Sequence, residues 1–165
     1  MKSQNKPPVW RSMLYVPATS QKFIEKAHER GADAIKIDLE DAVAPQEKEA
    51  ARKLVKGAAK LVARGSADIL VRINRPVRMA VADIEASIWP EVCGLVLPKV
   101  ESADQIDFLC EIITELEEER GLEIGHTKLM VLIETPRGYS NVRSIASSTT
   151  RLSAIALGQE DFSAE

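Results

Sequence analysis

Six short apolar runs alternate with segments of helical period, and this order constrains the fold more than any other feature of the chain. The runs are Met13–Val16, Ala34–Leu39, Ile69–Ile73, Gly94–Leu97, Leu129–Ile133 and Ala154–Leu157. Several are dense in Val, Ile and Leu, as expected of strands covered on both faces. Between them, Leu54, Val55, Ala58, Leu61 and Val62 recur at helical spacing, and Ile106, Leu109, Cys110, Ile113 and Leu116 form a similar stripe. Ser102 with Gln105 predicts a capping box at the start of that second helix. Pro45 suits a first helical turn, and Gly31, Gly65 and Gly121 stand where helices should stop. Strand and helix in strict alternation predict an α/β fold with parallel strands.

Two architectures satisfy that order: an open doubly wound sheet and a closed (β/α)8 barrel. Open nucleotide-binding sheets carry a Gly-rich turn after the first strand, and here that turn is "VPATSQK". Barrels draw their chemistry from the C-terminal ends of many strands. The polar residues of this chain are placed in that way. Side chains alternate across a strand. In "IKIDLED", Ile35, Ile37 and Leu39 share one face, and Lys36, Asp38 and Glu40 the other. In "ILVRIN", Val71 and Ile73 oppose Arg72 and Asn74. Glu134 follows the fifth run, Lys99 ends the fourth, and Glu160 and Asp161 lie just past the sixth. The length counts the other way. The chain has 165 residues and six strands, whereas a full barrel takes about 250 residues.

Charge in a core strand is costly unless it is paired or holds a cation. Each charged strand end alone reads as a salt bridge. Five in succession, with both signs, point to a site. Converging carboxylates with Arg and Lys suit a hard divalent cation and an anionic substrate, because Mg²⁺ is held by one or two carboxylates with water and substrate oxygens. The Arg fork suits a carboxylate. His28, in the last turn of the first helix, and His126, before the fifth strand at the opposite rim, read as structural or solvated. Neither a His base nor a zinc ligand set is visible, and Ser/His/Asp or Cys nucleophiles are unsupported. "TPRGYS" lacks the spacing of a phosphate loop. The acidic run "ELEEER" reads as a solvated helix face, and "RPVRMAV" as a basic loop.

The rest of the composition is ordinary for a globular protein: hydrophobic residues are 45%, charged residues 28%, and the net charge is -3. This gives no reason to expect nucleic-acid or membrane binding. "MKSQNKPPVW" holds no apolar signal core. Cys93 and Cys110, far apart and in no metal-ligand spacing, read as reduced core residues of a cytoplasmic protein.

"RSMLYVPAT", "GADAIKIDLEDAVAPQEKEAAR", "LVRIN", "GLVLPKVES", "LIETPRGYSN" and "ALGQEDFSAE" together resemble, in order, the CitE-like proteins, the citrate lyase beta-subunit group of the HpcH/HpaI aldolase and citrate lyase family. The resemblance covers essentially the whole chain. It implies a (β/α)8 TIM barrel, of which residues 1–165 would be a single N-terminal portion with about six β/α units, strands seven and eight being absent. Such a portion, expressed alone, is expected to be poorly soluble or partly unfolded, and catalytically inactive. The resemblance also implies Mg²⁺ as cofactor, a homo-oligomer (a trimer or a multiple of it), and a carbon–carbon lyase. That enzyme would cleave or form a 3-hydroxyacyl-CoA thioester of the citryl-CoA or malyl-CoA type, giving an acyl-CoA and a 2-oxo acid. The alternatives are an aldolase for a free 2-oxo acid such as pyruvate, or a non-catalytic binding or assembly subunit. Carried over by motif, Glu134 and Asp161 are the metal ligands. Arg72, with Glu40 and Asp41, carries catalysis, and Arg72, Asp38, Lys99 and Glu134 bind substrate. No residue stands out as the base for the synthetic direction.

Overall fold

The computed structural model describes residues 8–164. The reading of the N-terminal segment therefore lies, for residues 1–7, outside the described residues, as does Glu165. All six strands form where the apolar runs lie: β1 (Met13–Pro17), β2 (Ala34–Asp38), β3 (Asp68–Arg72), β4 (Gly94–Leu97), β5 (Lys128–Ile133) and β6 (Leu152–Leu157). Helices follow them: α1 (Gln21–Ala27), α2 (Lys48–Val62), α3 (Val77–Ser87), α4 (Ala103–Glu119), α5 (Pro136–Ser140), α6 (Val142–Ala146) and α7 (Gln159–Ala164).

The strands pair in parallel in the order β1-β2-β3-β4-β5-β6. This sequential order separates the two architectures. A doubly wound sheet reverses its strand order at a switch point, whereas a barrel adds each strand beside the last. The helices give the same answer. Ile35, Ile37, Val71, Leu95 and Val131 pack with Ile24, Val55, Ile84, Ile113 and Ile145, so α1, α2, α3, α4 and α6 cover one face. Ala34, Leu70, Val96, Met130 and Leu132 form a second cluster on the other face, closed by Trp10 and Met13 with no helix residue. The fold is six consecutive β/α units of a barrel in an open sheet. Among the described residues β1 pairs only with β2, and β6 only with β5. The β6 edge exposes Leu157 and leaves Ile155 36% exposed.

The local signals act as expected. The Ser102–Gln105 capping box forms at α4, a 3-10 turn over Pro45–Glu47 leads into α2, and Gly121, beyond α4, takes the left-handed φ of 65° that a side chain resists. Cys93 and Cys110 are half-buried. Two readings are corrected. "RPVRMAV" is mostly the first turns of α3, which begins at Val77 straight after Pro76. "ELEEER" is not wholly a solvated face. Glu117 is 0% exposed. It accepts bonds from the backbone N–H groups of Gly125 and Thr127, and it pairs with buried Arg151 at 2.7 Å. A partner 34 residues away makes a buried carboxylate affordable, and run composition carries no trace of it. Among the described residues no helix is long and apolar enough to cross a membrane.

Candidate active site

The polar strand ends meet at one rim. Register puts Asp38 of β2 directly opposite Arg72 of β3, on the helix-free face. Their side chains lock in a two-pronged pair: Arg72 Nε donates to Asp38 Oδ1 at 2.8 Å and Nη2 to Oδ2 at 2.6 Å. Asp38 also accepts from the N–H of Glu40 and of Ala42, which folds the "DLEDAV" turn around it. Arg72 Nη1 lies 2.7 Å from Glu40 Oε2 and donates to Asp41 at 3.3 Å. Lys48 Nζ bonds the carbonyls of Leu39 and Glu40 at 2.7 and 2.6 Å, fixing the same turn from α2.

These contacts set the charges. Burial opposes the Arg72 cation, but the bonds to Asp38 and the surrounding carboxylates outweigh it and raise its pKa. Glu40 moves the other way for its type. Burial, reinforced by Asp41, Glu134 and Asp38, pushes it up to about 7 against the pull of Arg72. Its Oε2 sits beside the guanidinium without a well-directed hydrogen bond.

A second group gathers at the ends of β4, β5 and β6. Glu134 follows β5 directly and is buried. Its Oε2 accepts the backbone N–H of Lys99 at 2.9 Å, and Lys99 adopts a left-handed φ of 51° in doing so. Strain of this kind costs about 1–3 kcal/mol and concentrates at functional sites. The Lys99 ammonium pairs with Asp161 at 2.9 Å, which lies in the first turn of α7 rather than on a strand. Gly158 leaves the space that the Glu134 carboxyl occupies: a Cβ on it would clash with Oε1, Cγ and Cδ of Glu134. Burial, then the Asp161 charge, raises the Glu134 pKa against the Lys99 N–H bond.

Both groups border one cavity of about 600 Å³, lined among others by Tyr15, Lys36, Asp41, Arg72, Glu134 and Asp161. Asp38 and Glu40 stand behind Arg72, and Lys99 reaches the cavity through Asp161 and Glu134. The chain's residues 11–165 match the HpcH/HpaI aldolase/citrate lyase family. The chain belongs to that family. The citrate lyase subunit beta of Leuconostoc mesenteroides subsp. cremoris is 37% identical over 156 residues, covering 94% of this chain and 52% of that protein. The (3S)-malyl-CoA thioesterase of Cereibacter sphaeroides is 32% identical over 157 residues, covering 94% and 51%. CitE of Mycobacterium tuberculosis, solved in complex with magnesium and acetoacetate, superposes with a TM-score of 0.71 at 27% identity, covering 96% of this chain and 59% of that one. The chain spans about half the length of the curated relatives it matches.

In this HpcH/HpaI chain the structure brings Asp38, Glu40, Asp41 and Arg72 into one cluster and Lys99, Glu134 and Asp161 into another, across the same cavity. Asn74 departs from the sequence reading: its side chain bonds Leu39 O and buried Asp83 of α3 and so ties the strand end to the helix layer. His126 bonds Val92 O, and neither histidine lines the cavity. Tyr15 and Lys36 were missed as site residues. Strand alternation held the signal, since Tyr15 and Lys36 are register partners on the face of Asp38, but only packing shows that the Tyr15 ring carries both Lys36 and Arg72.

Proposed function

We propose that this chain supplies the Mg²⁺ site and the arginine cluster of a carbon–carbon lyase. The lyase would act on a 3-hydroxyacyl-CoA thioester of the citryl-CoA or malyl-CoA type, releasing an acyl-CoA and a 2-oxo acid. The single observation that carries this reading is the meeting of the Asp38–Arg72 pair and the Glu134–Asp161 carboxylates on one cavity, in a chain of this family. Among the described residues no group of three or more His, Cys, Asp or Glu side chains is arranged to hold a metal ion. Two carboxylates facing one cavity, with the Asp161 charge raising the Glu134 pKa, are nonetheless the donor set that Mg²⁺ uses with water and substrate oxygens. Glu134 and Asp161 would hold it, in competition with the Lys99 ammonium for Asp161.

Bound there, Mg²⁺ supplies a Lewis acid that favours negative charge on the substrate oxygen. The other work falls to side chains. Arg72, immobilised by Asp38, keeps a fixed direction in which to orient a substrate carboxylate. In cleavage a hydroxyl loses its proton while the adjacent carbon–carbon bond breaks and the thioester half leaves as an enolate. Asp41 at the cavity wall and Glu40 behind it, its pKa near neutrality, take up that proton in this proposal. The same reading carries a cytoplasmic homo-oligomer and a longer barrel of which residues 1–165 are the N-terminal portion.

The test is chromatographic detection of acetyl-CoA or propionyl-CoA after the protein meets a malyl- or citryl-type thioester with Mg²⁺, with Glu134→Gln as control. Release that depends on Glu134 supports the lyase. Proton exchange at the pyruvate methyl in D₂O without thioester cleavage would favour the 2-oxo acid aldolase instead.

A further inference from the structure

The charges on the cavity wall are unevenly matched. Arg72 is met by Asp38, Glu40 and Asp41, so its charge is shared and serves at most one carboxylate of an incoming acid. Lys36 is the other cation that lines the cavity among the described residues. It lies two residues before Asp38 on the same face of β2, about 6–7 Å deeper in the barrel at the usual rise per residue. It is 4% exposed. Among the described residues its ammonium has no carboxylate partner. It donates to Tyr15 Oη at 3.2 Å and lies 4.5 Å from the centre of the Tyr15 ring. Arg72 Cζ lies 4.8 Å from the same centre.

Burial, then the nearby Arg72 charge, outweighs the Asp38 charge and holds the Lys36 pKa down to about 8, so the group is still cationic at neutral pH. A buried ammonium without a counter-ion is a large cost that the fold alone does not offset. Met130, Leu132 and Ala156, which line the same cavity, are apolar and offer no compensation.

We infer that Lys36 determines specificity by receiving a second anionic group of the acid. The cavity then takes a 2-oxo or 2-hydroxy dicarboxylate in preference to a monocarboxylate. This rests on reading the cavity as the acid's site. One carboxylate lies at the rim near Arg72, and the other reaches the floor and pairs with the Lys36 ammonium. A monocarboxylate leaves that ammonium unpaired. Hydrogen bonds to charged groups make the difference about ten- to hundredfold in affinity.

The experiment is calorimetric titration of L-malate and L-lactate, which differ by one carboxylate, in the presence of Mg²⁺. Wild type should bind L-malate at least about tenfold more tightly. Lys36→Met and Lys36→Gln, each checked for folding by circular dichroism, should lose that preference while L-lactate affinity stays within about twofold. Equal affinities in the wild type overturn the inference whether or not the variants fold. A preference that survives in both variants overturns it as well. If neither acid binds wild type, the proposed function falls together with it.

Discussion

The backbone N–H of Lys99 holds Glu134 Oε2 at 2.9 Å while the Lys99 side chain holds Asp161. One residue in a left-handed conformation thus spaces two carboxylates, one just after β5 and one in the first turn of α7. The two functions of Lys99 are separable by mutation. Lys99→Met keeps the N–H and removes the ammonium. The pair joins half-exposed groups, and such pairs are worth at most about 1 kcal/mol. Mg²⁺ affinity should therefore rise by up to about fivefold in a calorimetric titration. A fall would mean that the ammonium organises the site rather than competing for it.

Gly158 tests the Glu134 position from the other side. An alanine Cβ would occupy the space of the Glu134 carboxyl, and the flexible side chain, not the backbone, would yield. Gly158→Ala should melt within a few degrees of wild type yet bind Mg²⁺ at least about tenfold more weakly, the range seen when groups that orient a ligand are altered. Unchanged affinity would remove Glu134 from the metal site.

Glu40 sets a pH dependence. Its pKa rises from 4.5 to about 7 on folding, chiefly through burial. The folded state thus binds this proton more tightly than the unfolded chain. The stability linked to it is complete below 4.5 and is lost as pH rises through about 7. Glu40→Gln has no such proton, so its Tm relative to wild type should climb across that window. A constant difference from acid to neutral pH would show that Glu40 titrates like an ordinary carboxylate.

Glu117 and Arg151 are a structural pair at the opposite end of the barrel from the site. Removing one partner leaves the other charge buried, which typically costs about 3–5 kcal/mol. Glu117→Ala should lower Tm by on the order of 10 °C, whereas Glu118→Ala, one residue on and exposed, should change it little. Equal effects at the two positions, read by thermal unfolding, would refute the burial argument.

The order of elements, the six strand positions and the helix-facing residues were written in the sequence, because period-two and period-3.6 apolar patterns are local and survive without knowledge of neighbours. Asp38, Arg72, Glu134 and Asp161 were legible as strand-end charges on the same grounds. What tertiary structure decided is pairing. Strand order chose the barrel over the doubly wound sheet. The register of β2 on β3 set Asp38 against Arg72. That of β1 on β2 laid Tyr15 beside Lys36, and the fold brought Arg151 to Glu117 across 34 residues. Whether a charge is a solvated surface group, a structural ion pair or an unspent cation in a cavity depends on which partner lies within about 4 Å. That distance is fixed by chain segments far apart in sequence, and no local pattern encodes it.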